Sequence, residues 1–274
     1  MFEERIAAMA THAPVAMARG IAGVIVLLGL GGAFAPARAD IKIHYPIIDY
    51  REFEFEYNGD TTFDKAGSGK SNDQSNVFEL GYAPVWWWEP EIEFETKAEP
   101  GHNFAYAATT FENTFQLTEQ GKYWADLGFF AEYSHAASKA DADEITFGPL
   151  VQKQMSTILG LDLGHDTLHT LNVLFTKQIG RNRNDATPLA VAWQSRMQFN
   201  QYFQPGVEYY GNITSVAGMS NDEGTQHRLG PVLVGQYNMF QLGKIKYEAG
   251  YLFGLNQATE RGTLRWRLEY EKTF

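Results

Sequence analysis

The sequence predicts an all-β chain: a closed, antiparallel, up-and-down transmembrane β-barrel of about twelve strands. Segments alternating apolar and polar residues recur from residue 48 to the end, with almost no helical periodicity. The connections between them alternate long and short. The chain ends inside such a segment, "TLRWRLEYEKTF", on an aromatic residue, Phe274.

The expected strands are 48–57, 76–85, 88–96, 104–117, 122–133, 143–155, 167–179, 188–203, 206–214, 226–238, 244–255 and 262–274. In the first, Phe53, Phe55 and Tyr57 share one face and Glu52, Glu54 and Glu56 the other. "EIEFET" sets Ile92 and Phe94 against Glu91, Glu93 and Glu95, and "YWADLGFFAEY" and "IKYEAGYLFGL" repeat the pattern. In the last strand Leu264, Trp266, Leu268, Tyr270 and Phe274 oppose Arg265, Arg267, Glu269 and Glu271. Between strands, polar stretches such as "NGDTTFDKAGSGKSNDQS" and "SHAASKADAD" alternate with tight turns such as Gln204-Pro205 and "QLGK". A membrane barrel has this asymmetry, and an even strand count with the short turns inside the cell envelope places both termini in the periplasm. The turn near "LGLDLGHD" looks long for the short side.

Ahead of the strands, an uncharged apolar run from Ile21 to Ala35 is followed by Ala37-Arg38-Ala39, the small-x-small pattern of a signal-peptidase site. The run is shorter than the ~20 residues of a spanning helix. Residues 1–39 therefore read as a secretory signal cleaved after Ala39, and residues 40–274 as one barrel domain. A start at Met17 would give the signal a short basic leader. Cleavage takes Arg5, Arg19, Arg38, Glu3 and Glu4 from 22 basic and 33 acidic residues, leaving 19 and 31 and a net charge of −12. No basic block suggests a nucleic-acid partner. The absence of cysteine excludes disulfides, thiolate metal sites and a cysteine nucleophile.

With a signal, amphipathic strands, alternating loop lengths and an aromatic-ended last strand, residues 40–274 resemble a bacterial outer-membrane β-barrel of the porin or channel kind. The match is one of architecture; Gly148-Pro149 and Gly230-Pro231 repeat one dipeptide in two strands without fixing a narrower family. The resemblance implies outer-membrane lipid around the barrel. It also makes Leu264, Trp266, Leu268, Tyr270 and Phe274 an assembly signal read by the barrel-insertion machinery. Tyr45, Trp86, Trp87, Tyr123, Tyr202 and Tyr270 become candidates for the interfacial girdles.

Strand parity then assigns the lumen. Glu52, Glu54, Glu56, Glu79, Glu91, Glu93, Glu95, Glu112 and Asp126 point inward on the first five strands. Arg196, Arg228, Arg265 and Arg267 do so on strands eight to twelve, mixed with Glu208, Glu248, Glu269 and Glu271. Charges inside a barrel cost least when water reaches them, so the expected function is a passive, cation-preferring channel for small polar solutes. A structural or biogenesis barrel with a salt-bridged, plugged lumen is the alternative. A soluble lipocalin-like barrel would instead turn the apolar faces inward. An outer-membrane enzyme comes third: no His has a Ser eight positions later, as a twelve-stranded phospholipase of this class would require. His165 and His169 read as surface residues rather than metal ligands, Asp141 and Asp143 as a solvated loop, and no cofactor or metal is expected.

Overall fold

A computed structural model describes residues 41–65, 71–158, 161–213 and 225–274. The expected signal, its cleavage site after Ala39 and the alternative start at Met17 lie outside the described residues. The described residues hold twelve strands: β1 (Glu52–Phe63), β2 (Gln74–Tyr82), β3 (Trp88–Ala98), β4 (Ala105–Gln116), β5 (Asp126–Ala136), β6 (Asp143–Ile158), β7 (Leu161–Ile179), β8 (Leu189–Met197), β9 (Gln204–Ile213), β10 (Gln226–Asn238), β11 (Lys244–Gly254) and β12 (Gly262–Thr273). Each pairs antiparallel with its sequence neighbours, and β12 returns to pair with β1, so the sheet is a closed barrel. Closure leaves no strand edge unpaired.

The two faces are sorted as the alternation requires, apolar side out. Phe55, Phe78, Phe94, Phe111, Phe147 and Leu268 are exposed on the outer surface. Glu56, Glu79, Glu112, Asn172, Glu208 and Glu271 are fully buried inside. This arrangement is the reverse of a lipocalin-like barrel. It suits a hydrocarbon surround, where every backbone N–H and C=O must be satisfied within the sheet.

At the seam, Glu56 lies opposite Glu269 and Glu54 opposite Glu271, while Arg267 faces Asn58 and Arg265 faces Asp60. Facing like charges destabilise a strand pair. The register is rescued by the diagonal neighbour, for Arg267 Nε donates to Glu56 Oε2 at 2.5 Å.

Several boundaries differ from the sequence expectation. β1 starts at Glu52 rather than at residue 48, because the preceding residues turn inward; the corner is Arg51, held at φ 63°, with its N–H on the Ala83 carbonyl. β5 starts at Asp126 rather than 122: its carboxylate accepts from Gly121 N, and Thr118 Oγ1 accepts from Leu127 N, which folds 118–125 into a turn. β8 stops at Met197, where an Asn200–Phe203 bridge makes a tight turn in the expected strand tail. The apparently long "LGLDLGHD" connection is mostly strand, with a register shift between Met155 and Thr157 and Gly164 at φ 75°. Trp86 and Trp87 sit exposed in the β2–β3 turn, and Trp88 opens β3 with its indole N–H on Asn113.

The two Gly-Pro pairs mark equivalent gaps. Pairing of β6 to β7 skips Gly148-Pro149, and pairing of β10 to β11 skips Gly230-Pro231, because proline has no N–H to donate. A Cβ at Gly230 would stand 1.9 Å from the Tyr251 carbonyl oxygen, and one at Gly148 would stand 2.0 Å from that of Val173. Gly230→Val is expected to destabilise the barrel by about 1–3 kcal/mol. It should lower the temperature at which the fast-migrating folded form converts to the slow form on gels; an unchanged temperature would show that β10 can move away from β11.

Candidate functional site: a strapped lumen

The site is built on residues 41–50, "IKIHYPIIDY", which form no strand; residues 41–48 lie inside the barrel, and Asp49 and Tyr50 are exposed where the segment leaves it. Ile41, Lys42, Ile43, His44 and Ile48 are all buried. Ile41 and Ile43 pack on Ala192, Tyr210 and Leu252, a small apolar cluster within an otherwise polar interior. Pro46 keeps this strap from extending as a paired strand. Wall side chains satisfy its backbone instead. Asn172 Oδ1 accepts from His44 N at 2.9 Å while its Nδ2 donates to His44 O at 2.8 Å, so one amide acts as a strand edge. Ile48 N donates to Gln116 Oε1 at 2.8 Å, and Arg267 Nη1 to Ile43 O at 3.4 Å.

Strap side chains reach different parts of the wall. The Lys42 ammonium contacts Glu79 on β2, Glu56 on β1 and Glu112 on β4. Tyr45 donates to Glu248 Oε1 on β11 at 2.8 Å and accepts from Arg196 Nη1 on β8 at 3.3 Å. The Arg196 and Arg267 guanidiniums lie over its ring at 5.3 and 5.7 Å. His44 packs on the inward ring of Phe130 at 4.0 Å between centroids. The assignment of Tyr45 to an interfacial girdle is therefore corrected: its ring lies inside the barrel, held by Glu248, Arg196 and Arg267. Trp86, Trp87, Tyr123 and Tyr202 are exposed near turns at one rim, and Tyr270 bonds Leu242 O there.

Among the expected lumen residues, Glu52, Glu54, Glu56, Glu79, Glu93, Glu112, Asp126, Arg228, Arg265 and Arg267 are buried, and Glu91, Glu95 and Arg196 are half-buried. Many are brought into one ionic lattice. Arg265 makes a two-pronged pair with Glu208 at 2.7 Å and reaches Glu248 at 2.5 Å. Arg267 adds Glu269 at 3.0 Å and Glu54 at 3.8 Å to its bond with Glu56. Lys246 and Lys244 supply positive charge to Glu269 and Glu271. Others stay apart: Asp126 caps a rim turn, Glu95 pairs with Lys97 at 2.9 Å, and Arg228 pairs with Glu260 at 2.5 Å. His165 is exposed beside Phe199, and Asp143 is held by Tyr133 and His135.

The expected water-filled interior is interrupted by the strap. On one side opens a vestibule of about 770 Å³, lined among others by Asp60, Glu93, Glu95, Glu99, Glu132 and Glu144. On the other lies a cavity of about 70 Å³ bordered by Glu54, Glu89, Glu91, Lys246 and Glu269. Lys42 and His44 border both. Parity reasoning found the wall but missed Lys42, His44 and Tyr45. The signal was Pro46 in the middle of an alternating run, which argues against a central strand.

No family model matches the sequence, and no curated protein matches it. Solved structures that align with this chain include the following three. The translocator domain of the autotransporter NalP from Neisseria meningitidis aligns over 82% of this chain and 89% of its own, at 9% identity and a TM-score of 0.46. The Acinetobacter baumannii outer membrane protein Omp33 aligns over 82% and 98%, at 10% identity and 0.44. A bacterial polysaccharide outer membrane secretin aligns over 83% and 100%, at 7% identity and 0.40.

The lattice makes a direct stability prediction. Arg265→Met leaves Glu208 and Glu248 buried without their main partner and is expected to cost about 3–5 kcal/mol, with part recovered on adding Glu208→Met. Urea unfolding followed by tryptophan fluorescence reads both. A wild-type midpoint for the single variant would mean that lumen water, not Arg265, neutralises Glu208.

Proposed function

We propose that this chain is an outer-membrane barrel that admits small cationic solutes and is closed at rest by its own N-terminal strap. The carrying observation is that residues 41–48 cross a charged lumen on polar contacts beneath a carboxylate-lined vestibule. Such contacts exchange readily for water, each netting only about 0.5–1.5 kcal/mol between neutral partners. A lumen filled for rigidity alone is better served by apolar packing, since buried ion pairs are often no more stable than hydrophobic replacements. The vestibule carboxylates attract cations and repel anions before the strap is reached. The apolar outer face suits lipid, and the apolar face of β12 with Phe274 following it serves as the signal for insertion. The reading assigns no catalytic step.

In planar bilayers the wild type is expected to rest closed with brief openings, and deletion of residues 41–48 to give lasting, cation-preferring conductance. In the deletion background, replacing Glu91, Glu93 and Glu95 by Gln should move the zero-current potential in a KCl gradient toward the non-selective value. That shift should shrink at high salt, as the Debye length falls from ~10 Å at 0.1 M to ~3 Å at 1 M. A folded deletion variant that never conducts would favour the structural barrel. Anion preference would show that Arg196, Arg265 and Arg267 govern the constriction.

A further inference from the structure

Lys42 stands between the vestibule and the lower cavity and lines both. Its ammonium contacts Glu79 Oε2, with Glu112 Oε2 at 3.5 Å and Glu56 Oε1 at 3.7 Å. Glu91 extends the group, for carboxylate oxygens of Glu79, Glu91 and Glu112 all lie within 4.8 Å of one another. Acceptors outnumber donors here. Glu79 and Glu112 are each 1% exposed, yet Glu79 Oε1 and Glu112 Oε2 are buried without a hydrogen bond. Glu56 is already engaged by Arg267. The unbonded oxygens carry a desolvation cost that a well-placed cationic donor would remove.

We propose that Glu79, Glu91 and Glu112 form a binding site for the alkylammonium group of a small solute, and that Lys42 is its tethered occupant. The inference rests on the cation-admitting reading above and names the solute class. An alkylammonium carries three N–H donors around one compact charge, which is what a three-carboxylate cage can satisfy; a quaternary ammonium carries none. The structure already displays part of the fit, because the group now held by Glu79 and Glu112 is a primary ammonium on an aliphatic stem. An amine entering from the vestibule passes Glu93 and Glu95 and competes with Lys42 for the same oxygens. Its binding releases one of the strap's anchors, so the solute itself favours opening.

The test is calorimetric titration of the purified, detergent-solubilised protein with propylamine at neutral pH. Lys42→Ala vacates the cage and is expected to bind propylamine at least tenfold more tightly than the wild type, which must first displace its own lysine. Adding Glu79→Gln and Glu112→Gln to that variant should weaken binding at least tenfold, and tetramethylammonium should not bind. Should Lys42→Ala fail to fold, Lys42→Met keeps the stem, removes the charge and carries the same expectations. The proposal is overturned if the folded variant binds propylamine no more tightly than the wild type. It is equally overturned if tetramethylammonium binds as well, or if Ca²⁺ binds and propylamine does not. Binding is read without a membrane, so a barrel that never conducts can pass this test and a conducting one can fail it.

Discussion

Charge compensation inside a closed sheet is the constraint on which the rest of this structure depends. A barrel with its apolar face outward must turn its polar face inward, and here that face is heavily acidic. Among the described residues thirteen buried carboxylates meet four buried Lys and Arg side chains. Arg265 and Arg267 neutralise the wall built by β9, β11, β12 and β1. No arginine in the lattice reaches Glu79 and Glu112, and the strap supplies their cation through Lys42. The strand registers that place Glu56 opposite Glu79 and Glu91 opposite Glu112 create the demand that residues 41–48 answer.

The strength of the strap follows from its mixture of contacts. Ile41 and Ile43 each gain about 1.5–3 kcal/mol from full burial, and the polar bonds add smaller net amounts each. Against this stands the entropy of ordering eight or so residues, about 1–2 kcal/mol apiece for the backbone. The terms are of similar size, so the docked strap is favoured by a few kcal/mol at most, and every 1.4 kcal/mol removed raises the undocked fraction tenfold. Under the proposed function, such a balance is what a solute-responsive entry needs.

Most of the wall was legible in the sequence because its cause is local. A strand with lipid on one side and a polar lumen on the other alternates residue by residue, so Phe53 to Tyr57 and Leu264 to Phe274 declare their conformation and sort their side chains onto two faces, while which face looks outward rests on the strand count and the membrane-barrel resemblance. With the apolar face set outward, the carboxylates Glu52, Glu54, Glu56, Glu79 and Glu112 could be placed inward by parity. Their partners could not. Glu56 meets Arg267 on a diagonal, not directly across, and that offset depends on where β1 starts. That start was misread because no glycine or proline separates Ile48 from β1, and the turn at Arg51 needs a positive φ that its residue type does not advertise. The strap was hidden for a related reason: it alternates like a strand, but Asn172 and Glu248, which hold it, lie more than a hundred residues away. Tyr45 beside a strand start reads as an interfacial anchor until those partners are known.

The central claim is that residues 41–48 occupy the lumen of the assembled barrel, and a disulfide tests it most directly. A Cβ at Gly128 on β5 would lie 2.8 Å from Pro46 Cβ, so a shift of about 1 Å brings the pair into disulfide geometry. The chain has no cysteine of its own to compete. In isolated outer membranes, the Pro46→Cys/Gly128→Cys protein should cross-link under mild oxidation and, once denatured without reductant, take up no maleimide. Full labelling of both thiols under those conditions would contradict the account, because it would mean that the strap lies outside the barrel.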